Sequence, residues 1–114
     1  GVLSMHGWGA DPTDPRFIEF SYLFGDLTKL SGGDHDPSTW LVNSVKTGRE
    51  IPRLFISCGL QDELLPTNRY FIANCKSHGV SVDYHEEDGI HDWYFWDHQI
   101  QHFLAFALGN PKQE

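Results

Sequence analysis

The stretch Pro52-Arg53-Leu54-Phe55-Ile56-Ser57-Cys58-Gly59-Leu60-Gln61-Asp62 decides the fold. Its middle is a near-continuous apolar run, preceded by proline and closed by glycine. A strand covered on both faces reads this way, because neither side of it needs to meet water. Downstream, Thr67 to His78 carries apolar groups at helical spacing, with Thr67 as the expected N-cap and Gly79 as the residue past the end. Val80-Ser81-Val82-Asp83-Tyr84-His85 then alternates, which predicts a strand with Val80, Val82 and Tyr84 on one face. Trp93 to Leu108 reads as a closing helix with an apolar stripe of Trp93, Trp96, Ile100, Phe103, Leu104, Ala107 and Leu108. Strand, helix, strand, helix implies a parallel crossover sheet and an α/β class.

Upstream the pattern is weaker. Val2-Leu3-Ser4-Met5 reads as a further buried strand, followed by the loop His6-Gly7-Trp8-Gly9. Arg16 to Leu30 is aromatic but irregular and predicts a short helix. Ser31 to Pro37 is a turn, and Asp36 or Ser38 caps a helix that runs to about Thr47 and stops at Gly48. About three parallel strands with flanking helices are expected.

Composition narrows the function. The chain has 114 residues, with four Trp, four Tyr and eight Phe, so it can build a core and is not a disordered segment. Its net charge of -8 and lack of a basic cluster argue against nucleic acid or an anionic membrane as partner. No apolar run approaches the ~18 residues of a membrane span, and the first residues carry no signal-peptide pattern. Cys58 and Cys75 form no metal or disulfide motif and are read as small, buried, reduced side chains, which fits a cytoplasmic location.

On open parallel sheets, ligands and reacting groups sit beyond the carboxyl ends of the strands. That rule selects the loop after Cys58, which carries Asp62, and the loop after Tyr84, which carries His91. Adjacent parallel strands are about 4.8 Å apart, so side chains rising from the two loops can share a hydrogen bond. A carboxylate on one imidazole nitrogen fixes the tautomer and leaves the other nitrogen as a base toward a hydroxyl. The pair makes two-thirds of a Ser/His/Asp triad, in the acid-before-His order of the α/β-hydrolases. The plainer alternatives stay open: Asp62 as a turn or capping carboxylate, His91 as a loop histidine bonded to backbone. Asp92 is read as the N-cap of the last helix.

Pro52–Asp62 and Gly89-Ile90-His91-Asp92-Trp93-Tyr94-Phe95-Trp96 together resemble the C-terminal part of α/β-hydrolase-fold esterases of the putative-esterase family, the esterase D and tributyrin-esterase type. The resemblance implies that residues 1–114 are a partial α/β-hydrolase domain. It also implies a carboxylic-ester hydrolase in which Asp62 is the triad acid and His91 the base. Leu64 then borders an acyl pocket, or else packs in the core. Trp93 stands at the substrate side or in the wall behind it. No G-x-S-x-G elbow occurs. Ser4 lacks the flanking glycines, and His6-Gly7-Trp8-Gly9 only loosely matches an oxyanion loop. The nucleophile is therefore expected on an absent N-terminal half, and the fragment alone is expected to be inactive.

Expected partners are a small ester substrate and that missing half, with self-association of the open apolar edge as the other outcome. No cofactor is expected. His98 and His102 stand at i and i+4, a spacing that can bind metal, and His85, Glu87 and His91 are nearby in sequence. Lying off the apolar stripe, the two are read as exposed polar positions, and no metal is expected. Glu86-Glu87-Asp88 is read as a solvated turn. Two other readings compete: a non-catalytic α/β module or pseudoenzyme, and a related α/β-hydrolase such as a carbohydrate acetyl or feruloyl esterase or a peptidase.

Overall fold

The structure is a computed structural model that describes residue 13 and residues 15–109. The expected strand at Val2–Met5, Ser4 and the His6–Gly9 loop lie outside the described residues. The element order is α1 (Phe17–Phe24), a 3-10 turn (Leu27–Lys29), α2 (Pro37–Lys46), β1 (Leu54–Gly59), α3 (Leu65–Ser77), β2 (Val82–Glu87) and α4 (Trp93–Leu108). β1 and β2 pair in parallel, from Leu54 opposite Val82 to Gly59 opposite Glu87. The α3 crossover between them makes the β-α-β unit that the alternation of elements implied.

The irregular aromatic region divides into two pieces. Gly25 ends α1, and the Asp26 side chain caps the following turn by accepting from Thr28 N at 3.0 Å. Leu27 and Leu30 form a small buried cluster under Phe17, Phe20 and Phe24. Asp36, not Ser38, caps α2: one carboxylate oxygen accepts from Ser38 N and the other from Gly32 N, both at 2.9 Å.

Three boundaries differ from the sequence expectation, each for a local reason. α3 begins at Leu65, before Thr67, because Pro66 fits a first helical turn where its missing N–H would have no partner anyway. Thr67 sits inside that turn, its hydroxyl donating to Leu64 O at 2.8 Å. β2 begins at Val82, because Val80 is still engaged in closing α3. Gly79 at φ 73° lets Gly79 N reach Lys76 O and Val80 N reach Cys75 O, a Schellman closure. Glu86 and Glu87 are not a turn. They complete β2 opposite Cys58 and Gly59.

The main core lies on the α3 side of the sheet. Leu41, Ile56, Phe71 and Cys75 are buried there, with Leu54, Ile72, Val80, Val82 and Tyr84 packed around them. The three residues expected to share a face do so. On the opposite side Phe55 meets Phe103 and Phe106 of α4 at ring separations of 5.7 and 5.5 Å. The expected stripe on α4 is not its buried face. Phe95 and Gln99 are buried, while Trp93 and Leu108 are each 79% exposed and Ile100 and Leu104 are also exposed. The rotation of the helix follows from its first turn. Asp92 accepts from Phe95 N at 3.0 Å, and the Phe95 ring packs on Gly89. Of that stripe, Phe103 packs on Phe55 and Trp96 on His91, while Trp93, Leu104 and Leu108 are left exposed among the described residues.

Candidate active site

The two loops selected by the strand-end rule are joined backbone to backbone. Leu60 N donates to Glu87 O at 2.8 Å, and Gln61 N donates to Gly89 O at 3.0 Å. Gln61 adds a side-chain clip, accepting from Gly89 N at 2.7 Å and donating to Asp88 at 3.2 Å. This approach explains both glycines. A Cβ on Gly59 would collide with the carbonyl of Gly89. Gly89 has φ 153° and lies under Phe95, so a side chain there would meet both strain and a ring.

With the loops so joined, Asp62 and His91 meet. His91 Nδ1 lies 2.9 Å from Asp62 Oδ2. The other carboxylate oxygen accepts from Leu64 N at 2.8 Å, and Asp62 N donates to Gly59 O, so the carboxylate is held from both ends of its own turn. The acid is buried, at 8% exposure, while the His91 side chain is 50% exposed. A buried carboxylate oriented on one nitrogen, with the imidazole open to its surroundings, is the arrangement that serves proton transfer at the other nitrogen. The Trp96 ring stands edge-on to His91 at 4.9 Å and an interplanar angle of 89°.

Asp62 and His91 lie at one end of an open hollow of about 580 Å³ between β1 and α4. Leu64, Asn68, Phe95 and Gln99 contribute to its wall. Leu64 is buried beside the acid. Trp93 does not line the hollow. It is exposed and stands behind Trp96, with ring centroids 5.1 Å apart. Cys58 is buried against the floor. Burial, reinforced by the negative charge of Asp62, pushes its thiol up to about 11, so at neutral pH it is an un-ionised thiol rather than a nucleophile. On the α3 side of β2, Arg69 forks onto Glu86 with two contacts of 2.8 Å, and the Tyr84 hydroxyl donates to the same carboxylate at 2.6 Å. Those bonds hold the Glu86 carboxyl down at about 2.

Two contributors, Gln61 and Gln99, are polar residues with no motif attached, and Trp96, which belongs to the Gly89–Trp96 segment, is read from the sequence as core or site wall. Their roles come from proximity: Gln61 to the second loop, Trp96 to His91, Gln99 to the hollow. Gln99 is 3% exposed, and neither polar atom of its amide has a hydrogen-bond partner among the described residues.

No protein-family model matches the chain. An acetyl esterase from Caldicellulosiruptor saccharolyticus is 34% identical over 104 residues, which is 87% of this chain and 39% of that protein. Two solved structures from Staphylococcus aureus share the fold over 96% of this chain and 42% of theirs. One is the S-formylglutathione hydrolase FrmB, at a TM-score of 0.76 and 27% identity. The other is the fluorophosphonate-binding serine hydrolase FphF in a substrate-bound state, at 0.81 and 26%. The chain thus spans about two-fifths of the length of these relatives. The fold is therefore that of one portion of an α/β-hydrolase, and the similarity is to its esterase-type members.

Proposed function

We propose that this chain is the C-terminal part of a serine esterase and carries the acid and the base of its Ser/His/Asp triad. The observation that carries the reading is the 2.9 Å bond between His91 Nδ1 and Asp62 Oδ2 at the carboxyl ends of two adjacent parallel strands. Asp62 accepts a hydrogen bond from His91 Nδ1–H and so fixes the tautomer in which Nε2 is a base. Nε2 takes the proton of a serine hydroxyl as it attacks the ester carbonyl, and returns it to the departing alcohol. A water then repeats the sequence on the acyl-enzyme.

The serine and the oxyanion donors belong to a segment outside this chain, since no G-x-S-x-G occurs in it. The Gln99 amide, without a hydrogen-bond partner among the described residues, and the exposed Trp93, Leu104 and Leu108 of α4 support this, because further chain would partner and cover them. Leu64 forms part of the acyl wall, and Trp93 backs Trp96 behind the base. Short acyl esters, acetyl esters among them, are the substrates to test first.

The test uses the protein that includes this chain and its upstream segment, with p-nitrophenyl acetate as substrate. His91→Ala and Asp62→Asn should each lower kcat by roughly 10³–10⁴-fold with folding unchanged. Retention of more than a tenth of the activity by His91→Ala would remove His91 from the mechanism. The 114-residue chain alone should show no enzymatic turnover. Turnover lost on Ser4→Ala would overturn the assignment of the nucleophile to another segment.

A further inference from the structure

On the α4 side of the sheet, three metal-ligating side chains converge outside the triad pair. His98 and His102 stand one helical turn apart on α4, and Glu87 ends β2 beneath them. Glu87 Oε2 lies 3.1 Å from His98 Nε2, and Glu87 Oε1 lies 3.7 Å from His102 Nε2. One ligand atom from each residue falls within a 4.8 Å span. Tetrahedral zinc, with bonds of about 2.0–2.1 Å, holds its ligand atoms about 3.3 Å apart. The three groups therefore already sit at close to the separation a bound ion requires.

The groups are also held in place. The backbone of Glu87 is fixed by the ladder to Gly59 and by its carbonyl accepting from Leu60 N. The His102 ring stacks on His85 at 5.5 Å and 19°, and His85 is anchored on Asp83 at 2.8 Å. The two helix histidines share one face by the i, i+4 rule. Two imidazoles and one carboxylate make a donor set suited to a borderline ion and leave a coordination position for water.

We propose that Glu87, His98 and His102 bind a divalent transition-metal ion of the zinc type. The proposal rests on this cluster alone and is independent of the esterase reading. A bound ion would tie the end of β2 to α4. It would thereby bracket residues 88–92, the loop that carries His91.

The test is calorimetric titration of the full chain with Zn²⁺ alone, repeated with Mg²⁺. One saturable Zn²⁺ site at micromolar or tighter affinity is expected, with no saturation by Mg²⁺. His98→Ala, His102→Ala and Glu87→Gln should each weaken Zn²⁺ at least tenfold, whereas His91→Ala and His78→Ala should leave it unchanged. Saturating Zn²⁺ should raise Tm by roughly 5 °C in the wild-type chain and not in the His98→Ala variant. Circular dichroism of each variant separates lost ligation from lost fold. No saturable binding below 100 μM, or equal binding by the folded His98→Ala and His102→Ala variants, overturns the site.

Discussion

The two sides of the β1–β2 pair are built differently. On the α3 side, Leu41, Ile56, Phe71 and Cys75 close a dry core, and the exposed rim is finished by the Arg69–Glu86 fork. On the α4 side, Phe55 touches Phe103 and Phe106, but a hollow of about 580 Å³ remains with Ile100 on its wall, and Leu104 is exposed. The closed side carries stability. The open side is bordered by Asp62, His91, Glu87, His98 and His102. Packing one face of a two-stranded unit fixes the strand ends, and the groups that need access are placed along the other.

That contrast is open to attack by substitution. The largest effect should come from Phe71→Ala, which leaves a void in the closed core and should cost about 3–5 kcal/mol in urea unfolding. A loss below about 1 kcal/mol would mean the α3 side is not the stabilising face. Asp92→Ala removes the cap that orients α4 and should cost about 1 kcal/mol. In the longer esterase proposed above it should also lower activity, since the same turn carries His91.

The Arg69–Glu86 fork gives a pH signature. The Glu86 carboxyl is lower in the folded state, about 2, than its ordinary value of about 4.3. Its contribution is therefore present above about pH 4.3 and is lost as pH falls through about 2. The Tm difference between wild type and Glu86→Gln should shrink steadily over that window. A constant difference would show that the fork does not act through charge. The smallest effect should be that of Leu104→Ser on the open side: unfolding of this chain within about 0.5 kcal/mol of wild type, with reduced self-association by sedimentation. A core-sized loss there would erase the contrast.

Much of the candidate site is legible in the residues because its chemistry is tied to strand ends. Gly59 and Gly89 mark where backbones must approach, and Asp62 and His91 follow at short, fixed offsets. Elements with a sharp local signal are equally readable: Gly79 closes α3, and Asp92 opens α4. The start of α3 precedes the expected Thr67 because Pro66 fits a first helical turn. The acidic run reads as a turn because the strand pairing of Glu86 and Glu87 with Cys58 and Gly59 is a tertiary contact.

By itself, then, the sequence determines the β-α-β order, the stop of α3 at Gly79, the cap of α4 at Asp92 and the pairing of an acid with a histidine, since these rest on local conformation and on the spacing of parallel strands. Only the tertiary structure decides which face of α4 is buried, that Gln61 clips the second loop, and that Glu87 comes under His98 and His102. Periodicity reports that a helix has an apolar side. What that side meets depends on the rest of the packing, and distant residues converge only once the sheet and helices are in place.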